Sequence, residues 1–491
     1  MGLLSRKTGK DTASGDATTT TTTSAPVSGT DTNTSTTPEM VSAKTSLDED
    51  RNGDSIARPP TASSSTSASK TEAPVVADGQ NVSDASKLKT FLGILRRFLG
   101  VTDIAAVRFS LPAQLLEPIP NLEYWNYLDR PETFAAIGDS DDPLERMLAC
   151  LRFWFTKDLK YVKGKPCKPY NSSLGEFFRC TWQVDSAEAE KTTGYKQPVK
   201  VNYITEQTSH HPPISAFVYE CPEKGIEASG YDQLSAKFTG TSVKVTPGNF
   251  NQGIFIKFQK RDGEEYQLTH PAAYLTGFLR GPSGLYVSVA DVCTISCQKT
   301  GLKTILQYHE EGYFGKAQNR VEGIIYKPAD MKSDPVTKLK DVPKDQIVGR
   351  VEGVWTERVF YSPGSTEFKK TKESDRVLLM DVTPLIPVAK KCPPPELQLP
   401  NESRKFWGGV TEAIEKKQFG TATDRKTALE ERQRERAAER QQKGETWNPR
   451  FFTSVTESDG KAVLNDEGRR ALEGLEKEEY RLEEPKEYGA L

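Results

Sequence analysis

The chain contains no apolar run near the roughly 18 to 20 residues that a membrane-spanning helix needs, so any contact with a membrane is expected to be peripheral. Its 66 Lys and Arg against 68 Asp and Glu leave a formal net charge of −2. That balance argues against nucleic acid as a partner, because binding a phosphate backbone needs a surplus of cations. The seven cysteines are an odd number, and Cys293 and Cys297 are spaced wrongly for a CxxC motif. They are expected to be reduced and mostly buried thiols of a cytoplasmic protein.

Residues 1–83 lack Phe, Trp and Tyr and are crowded with Ser, Thr and Pro. Such a segment cannot bury enough apolar surface to offset the entropy lost on ordering. It is expected to be a disordered arm, too poor in apolar residues to hold a pleckstrin-homology or ankyrin module. The ordered protein is therefore expected to begin at residue 84.

A helix is predicted over residues 84–100, where Ser83 and Asp84 can cap its beginning and Gly100 can end it. One face of this helix is apolar and comprises Leu88, Phe91, Leu92, Leu95, Phe98 and Leu99. Two interpretations remain open at this point. The segment is either an ordinary surface helix packed on a core or a lid that covers a cavity when closed and meets an anionic membrane when open.

The middle of the chain favours antiparallel β-structure. Asp142 and Pro143 begin a second amphipathic helix, which is expected to plug one end of the sheet. From Phe177 to about Val382, short alternating runs are split by Gly, Pro, Asn and Asp; the runs 254–258, 285–289 and 321–326 are examples. About a dozen strands without interposed helices predict a sandwich or a barrel, and a barrel of that size can enclose a ligand.

After the proline-rich residues 392–395 the sequence becomes helical again, from Glu402 to about Gln442. Taken alone, the charged stretch 425–443 is typical of a solvated helix held by ion pairs four residues apart. Lys426, Glu430 and Arg434 lie on one face of it and span roughly 12 Å. Residues 454–491 are expected to form an acidic, loosely ordered tail.

The most specific stretch is Glu206-Gln-Thr-Ser-His210-His211-Pro-Pro213, which holds two of the four histidines of the chain. Proline disfavours a helical residue before it, so the histidines are expected in extended backbone, where the imidazoles suit a phosphate or a metal. A plain polar turn is the alternative. The stretch resembles the signature of the oxysterol-binding-protein-related family, with Thr208 in place of the usual Val. Further pieces similar to that family are Lys168-Pro-Tyr-Asn171, Leu174-Gly-Glu176, Glu402-Ser-Arg-Lys405 and Trp447-Asn-Pro-Arg-Phe451, so the resemblance covers residues 85–453.

The resemblance implies a β-rich α+β fold: a large antiparallel β-barrel (171–390) enclosing a lipid tunnel, with helices over 101–170 and a C-terminal helical subdomain over 400–453. It also implies that 84–100 is the lid, with Leu88, Phe91, Leu92 and Leu95 facing the cavity. The head group of phosphatidylinositol 4-phosphate would then be held by seven residues, all matching the family in type: Lys168, Asn171, His210, His211, Lys426, Glu430 and Arg434.

The function implied is exchange of this phosphoinositide for a second lipid, a sterol or phosphatidylserine, which occupies the same tunnel in alternation. A lipid-gated sensor of membrane traffic is the alternative. An enzyme is not expected, because His270 and His309 lie in unrelated contexts and offer no further ligands for a metal. No cofactor or catalytic residue is predicted. The protein is expected to be a monomer that contacts anionic membranes transiently at the endoplasmic reticulum, Golgi or plasma membrane.

Overall fold

The computed structural model describes residues 83–105, 111–164, 167–194, 196–278, 285–309, 318–454 and 458–484. The arm expected over residues 1–83 lies outside these residues except for Ser83. The helices of the described part are α1 (Asp84–Leu95), α2 (Asn121–Tyr124), α3 (Pro131–Ala135), α4 (Pro143–Thr156), α5 (Leu159–Lys163), α6 (Ser186–Thr193), α7 (Ser403–Glu415), α8 (Phe419–Lys443) and α9 (Asp466–Lys477).

The strands of the described part run from Phe177 to Lys391. They are β1 (Phe177–Val184), β2 (Val199–His210), β3 (Pro213–Cys221), β4 (Ile226–Asp232), β5 (Leu234–Phe238), β6 (Val243–Pro247), β7 (Ile254–Phe258), β8 (Glu265–Leu268), β9 (Ala272–Thr276), β10 (Tyr286–Cys297), β11 (Leu302–Tyr308), β12 (Arg320–Tyr326), β13 (Ile347–Val354), β14 (Arg358–Pro363), β15 (Val377–Asp381) and β16 (Lys390–Lys391). The predicted strands 254–258 and 321–326 correspond to β7 and β12.

All strand pairings in the sheet are antiparallel. Its hydrogen-bonded order is β15-β14-β13-β12-β11-β10-β8-β7-β4-β3-β2-β1-β16, with β9, β6 and β5 branching from β10. One apolar cluster contains Trp182 of β1 together with Leu379 of β15, near opposite ends of that order. Strands so far apart in the sheet share a core only if the sheet curves round on itself. The large antiparallel β-barrel expected from the sequence is confirmed.

Helix α4 lies in this shared core, as predicted. The Asp142 side chain caps it by accepting a hydrogen bond from the Leu144 N–H at 2.7 Å. Its apolar face is buried, with Met147 and Leu151 fully enclosed. Trp154 donates from Nε1 to the Tyr308 hydroxyl of β11 at 2.8 Å. The helix therefore fills one region of the barrel interior with apolar side chains.

The expectation of a loosely ordered tail after residue 453 is wrong for the part that the structure describes. Helix α9 is capped by Asn465, whose side chain accepts from the Gly468 N–H at 3.0 Å. Its Leu472 and Leu475 are fully buried in a second core with Ile204 of β2. The acidic composition of this segment suggested disorder. A few apolar residues on one face of an acidic helix are nevertheless enough to fix the helix when that face packs on a sheet.

Helix α1 begins where predicted, with the Ser83 hydroxyl accepting from the Ser86 N–H at 3.3 Å. Leu88 and Leu95 are buried, and Phe91 and Leu92 are half-buried. Leu99, expected on the same stripe, is 55% exposed, because the chain tightens into a 3₁₀ turn at residues 96–98 and leaves the helical phase.

Candidate functional site

The two signature histidines lie at the tip of the β2–β3 hairpin. His210 is the last residue of β2 and His211 begins the turn, which contains a cis peptide bond before Pro212. Both side chains are exposed, and their rings meet edge to face with centroids 4.7 Å apart. The Ser209 hydroxyl donates to the Pro212 carbonyl at 2.7 Å and helps to hold the turn. The tip therefore presents two imidazoles side by side to solvent.

The glutamate of the same signature holds the hairpin from outside the barrel. Glu206 is fully buried, and its two carboxylate oxygens accept from the backbone N–H groups of Arg450 and Phe451 at 2.7 and 2.9 Å. Burial raises the pKa of Glu206 to about 7, while those hydrogen bonds pull it down. Two of the stretches that resemble the family, residues 206–213 and 447–451, are therefore in direct contact through these hydrogen bonds.

The Lys168–Asn171 motif forms a compact polar corner. Lys168 Nζ donates to Asn171 Oδ1 at 2.6 Å and to the Pro169 carbonyl at 3.0 Å. Between them, Tyr170 is fully buried and stacks on Trp407 of α7 with centroids 4.8 Å apart. The lysine and asparagine are therefore held at the junction between the barrel and the C-terminal helices.

Helix α8 brings the second lysine to this corner. Lys426 is 6% exposed and pairs with Glu430 at 3.0 Å, and Glu430 also lies 3.7 Å from the guanidinium of Arg434. Burial, together with the charge of Lys426, lowers the pKa of Lys168 to about 8. Two ammonium groups thus repel each other across a partly buried space, which is an environment that favours an anion.

The polar corner and the histidine hairpin are tied by backbone. Gly175 donates its N–H to the Gln207 carbonyl at 3.0 Å, and Gln207 donates to the Glu176 carbonyl at 2.8 Å. Glu176 in turn accepts from the Ser403 hydroxyl at 2.6 Å and from Trp407 Nε1 at 3.0 Å. Five of the seven predicted residues therefore form one set around Lys168 and Lys426, and β2 continues from Gln207 towards the two histidines.

Helix α1 lies beside this set. On one side its Ile94 packs in a cluster with Trp407 of α7 and Ala422 of α8. On the other side, Leu88 and Leu95 pack in a cluster with Phe238 of β5. After the helix, Asp103 Oδ1 accepts from the Ala236 N–H at 2.9 Å and anchors the chain to the barrel. The helix thus bridges the branch strands and the C-terminal helices.

A charged cluster inside the barrel was not foreseen from the sequence. The Lys157 ammonium pairs with Asp158 and lies 4.6 Å from the ring centroid of Tyr127, whose hydroxyl donates to Asp232 at 2.6 Å. Burial raises the pKa of Asp232 to about 7. Burial also lowers the pKa of His270, which stacks on Tyr127, to about 3. Apart from the neighbours Lys157 and Asp158, these residues are far apart in the sequence, so no local motif indicates the cluster.

Within the described residues, no group of three or more His, Cys, Asp or Glu is placed to hold a metal. No helix in that part of the chain is long and apolar enough to cross a bilayer.

The barrel, helix α4 in its core, the bridging helix α1 and the cationic corner together define a β-barrel protein with an anion-favouring site beside α1. The family model described as oxysterol-binding protein matches residues 91–470. The chain belongs to the oxysterol-binding protein family, which confirms the family expected from the motifs.

Individual relatives agree with that assignment. The chain is 39% identical over 488 residues to oxysterol-binding protein-like protein 1 of Schizosaccharomyces pombe, covering 81% of this chain and 92% of the relative. It is 32% identical over 366 residues to human oxysterol-binding protein-related protein 9, covering 73% of this chain but 45% of that longer protein.

Solved structures match the fold. The Osh1 ORD domain in complex with cholesterol aligns with a TM-score of 0.59 at 19% identity, covering 84% of this chain and 93% of that one. The Osh3 ORD of Saccharomyces cerevisiae in complex with PI(4)P aligns with a TM-score of 0.55 at 20% identity, covering 84% and 97%. At such identities the likeness concerns the fold alone.

Proposed function

We propose that this protein is a lipid-transfer protein that binds the head group of phosphatidylinositol 4-phosphate at the corner formed by Lys168, Asn171, Lys426 and Glu430, with Arg434 and the two histidines at its rim. The acyl chains would enter the barrel, and α1 would close over them. In this proposal the protein does no chemistry on its ligand.

The observation that carries the proposal is the pair of lysines. Burial and the neighbouring Lys426 lower the pKa of Lys168 to about 8, so in the ligand-free protein two cations are held together at a cost. A bound phosphate would turn that repulsion into attraction and add charge-assisted hydrogen bonds. Glu430 has no proton to donate to a phosphate oxygen; it pairs with Lys426 at 3.0 Å and can accept from an inositol hydroxyl.

Replacing both histidines, as in His210→Ala with His211→Ala, tests the head-group assignment. Both side chains are exposed, so the double variant should fold normally yet lose binding to vesicles that contain phosphatidylinositol 4-phosphate. Arg432→Ala is the matched control, since Arg432 is an exposed cation of α8 outside the Lys426 face. Tight binding by the double variant, with unchanged melting, would remove the histidines from the site.

The second lipid is proposed to be a sterol or phosphatidylserine, bound in alternation in the same barrel. Buried Lys157 with half-buried Asp158 and Asp232 supplies polar partners in an otherwise apolar interior, which either lipid needs for its polar group. Mass spectrometry of lipids that co-purify with the protein separates the two: a sterol peak or a phosphatidylserine peak decides. Recovery of neither, with phosphoinositide present, would contradict exchange.

Transfer is tested with two vesicle populations that carry labelled lipids. Exchange predicts that one lipid moves from donor to acceptor as the phosphoinositide moves back, and that removing the phosphoinositide slows the traffic. A protein that binds the phosphoinositide but changes partner binding without moving lipid would be a sensor instead. We propose that exchange takes place on cytoplasmic faces of the endoplasmic reticulum, Golgi or plasma membrane; fractionation with one of these membranes in living cells would support it, and absence from all three would oppose it.

A further inference from the structure

Two cysteines face each other where the barrel meets the chain that leads to the C-terminal helices. Strand β1 pairs with β16 through Thr181 opposite Lys391 and Trp182 opposite Lys390. Continuing this antiparallel register by one residue places Cys180 opposite Cys392. Directly opposed residues of an antiparallel pair have Cα atoms about 4.5 to 5.5 Å apart, which lies within the range of about 4.4 to 6.8 Å found in disulfides.

The side chains are in contact as well as in register. Cys180 belongs to the core of the barrel and Cys392 packs against that same cluster. The two thiols are also hydrogen-bonded to each other. Both are free in this structure. Directly opposed residues of an antiparallel pair have Cβ atoms about 4.5 to 5.5 Å apart, and a disulfide brings them to about 3.5 to 4.5 Å. β16 lies at the end of the strand order and pairs with β1 through two residues.

The two thiols are unequal in a way that suits stepwise oxidation. Cys392 is partly exposed, whereas Cys180 is fully buried. The hydrogen bond with Cys180 lowers the pKa of Cys392, and the positive charge of Arg404 also lowers it. Arg404 is held in place by Glu123 at 2.6 Å. Burial raises the pKa of Cys180 well above its usual range. Low-pKa, accessible thiols next to a cation are the ones that oxidants attack first.

We propose that Cys180 and Cys392 form a reversible disulfide when a hydroperoxide such as hydrogen peroxide reaches Cys392. The Cys392 thiolate attacks one peroxide oxygen, forming an S–O bond as the O–O bond breaks and the leaving hydroxide takes up a proton as water. The Cys180 thiol then loses its proton and attacks the sulfenic sulfur, forming the S–S bond and releasing a second water. Two thiols and one peroxide thus give one disulfide and two waters, and a dithiol reductant reverses the change.

The bond would fasten the barrel wall to the root of the C-terminal helices. Cys392 leads through Pro393 and the following prolines into α7, whose Trp407 stacks on Tyr170 of the Lys168 corner. In the reduced protein the join between β1 and β16 consists of two paired residues. Oxidation therefore adds a covalent link between the strand wall and the helices that carry Lys426, in a place where the noncovalent link is short.

A second close pair of thiols serves as the internal comparison. The Cys150 and Cys297 thiols lie near enough to influence each other, but both are buried to 1% exposure or less, and burial raises the pKa of Cys150 well above its usual range. Neither thiol is accessible to an oxidant in solution. The proposal therefore expects oxidation at Cys180 and Cys392 while this pair stays reduced.

The test uses the whole reduced protein, treated with hydrogen peroxide, alkylated and digested for peptide mapping. A peptide linked between Cys180 and Cys392, two hydrogens lighter than its parts, is expected, and dithiothreitol should remove it. Cys392→Ser should abolish the link, whereas Cys167→Ser, which replaces the other partly exposed cysteine, should leave it unchanged. Peroxide should also raise the melting temperature of the native chain and of Cys167→Ser, but not that of Cys392→Ser.

Several outcomes would overturn the proposal. One is a folded native protein in which Cys392 oxidises to sulfinic acid without a linked peptide. Another is a link that joins Cys150 to Cys297 instead. A peroxide-induced rise in melting temperature that persists in Cys392→Ser would also reject it. Because Cys392 is partly exposed, its serine variant is expected to fold, and circular dichroism of that variant before oxidation checks this.

Discussion

Raising the pH from about 7 to about 9 should weaken binding of phosphatidylinositol 4-phosphate about tenfold. In the ligand-free protein, burial and the charge of Lys426 hold the pKa of Lys168 at about 8, so Lys168 is mostly charged at pH 7 and about nine-tenths neutral at pH 9. A bound phosphate requires the charged form. Above pH 8, binding must therefore take up a proton, and each further pH unit costs about 1.4 kcal/mol of binding free energy until the pKa of the bound state is reached.

The assay is equilibrium binding of a short-chain fluorescent phosphatidylinositol 4-phosphate at several pH values between about 7 and 9, a range above the ordinary titration of imidazole and of a phosphate monoester. Lys168→Arg is the matched control, because guanidinium stays charged throughout the range. Its binding, whatever its absolute strength, should change much less with pH. If the native protein binds equally well at pH 7 and pH 9, or if Lys168→Arg shows the same tenfold loss, Lys168 does not hold the phosphate.

The charge of Lys168 is expected to favour binding of the head group but to lower the stability of the ligand-free protein. Its folded pKa of about 8 lies below the ordinary lysine value of 10.5, so between these two pH values the unfolded chain holds more protons and stability rises with pH. Below pH 8 the folded protein bears the full cost of burying a charged Lys168 near Lys426. Lys168→Met should therefore raise the melting temperature of the ligand-free protein at pH 7 while abolishing head-group binding. A lower melting temperature would show that Lys168 is a structural residue.

Three further predictions follow from the supporting contacts. Glu206→Gln should destabilise the fold by about 1–3 kcal/mol, since an amide oxygen can replace only one of the two acceptors. An unchanged free energy of unfolding in denaturant would contradict a stabilising role for the hydrogen bonds of Glu206 to residues 450 and 451. Leu472→Ala should cost about 2–5 kcal/mol, whereas Val463→Ala, at a side chain 52% exposed, should cost less than about 0.5; equal effects would mean that α9 is not packed. Deleting residues 84–100 should speed the loss of labelled lipid to acceptor vesicles, and unchanged retention would show that α1 is no lid.

Local signals made much of the fold predictable. Asp142 and Pro143 predict the beginning of α4, because a capping side chain and a proline in the first turn act only on the residues of that turn. Alternating runs such as 254–258 identify barrel strands because one face of each strand is apolar and the other polar. The same logic fails at β2, where Tyr203 faces the inner core and Ile204 faces the outer one. Both faces are buried there, and the alternation that marks a strand disappears.

The site was predictable in part, and for a different reason. Lys168 and Asn171 are three residues apart, so a contact between them is within reach of local reasoning. The approach of Lys168 to Lys426 joins distant parts of the chain, and that expectation came from resemblance to a family. The interior pair of Lys157 with Asp158 was missed because charged residues after an amphipathic helix usually face solvent. Only the curvature of the barrel shows that these residues face inward.

The way Glu206 holds the hairpin has a consequence for mutational scanning. Its partners at positions 450 and 451 are main-chain N–H groups, which every amino acid except proline possesses. An alanine scan does not detect such a hydrogen bond, because Arg450→Ala keeps the backbone N–H donor and loses only the side-chain contacts of the arginine. Arg450→Pro would remove the donor itself. The histidine tip is thus anchored through backbone groups. A survey that changes side chains alone would underestimate the importance of this contact.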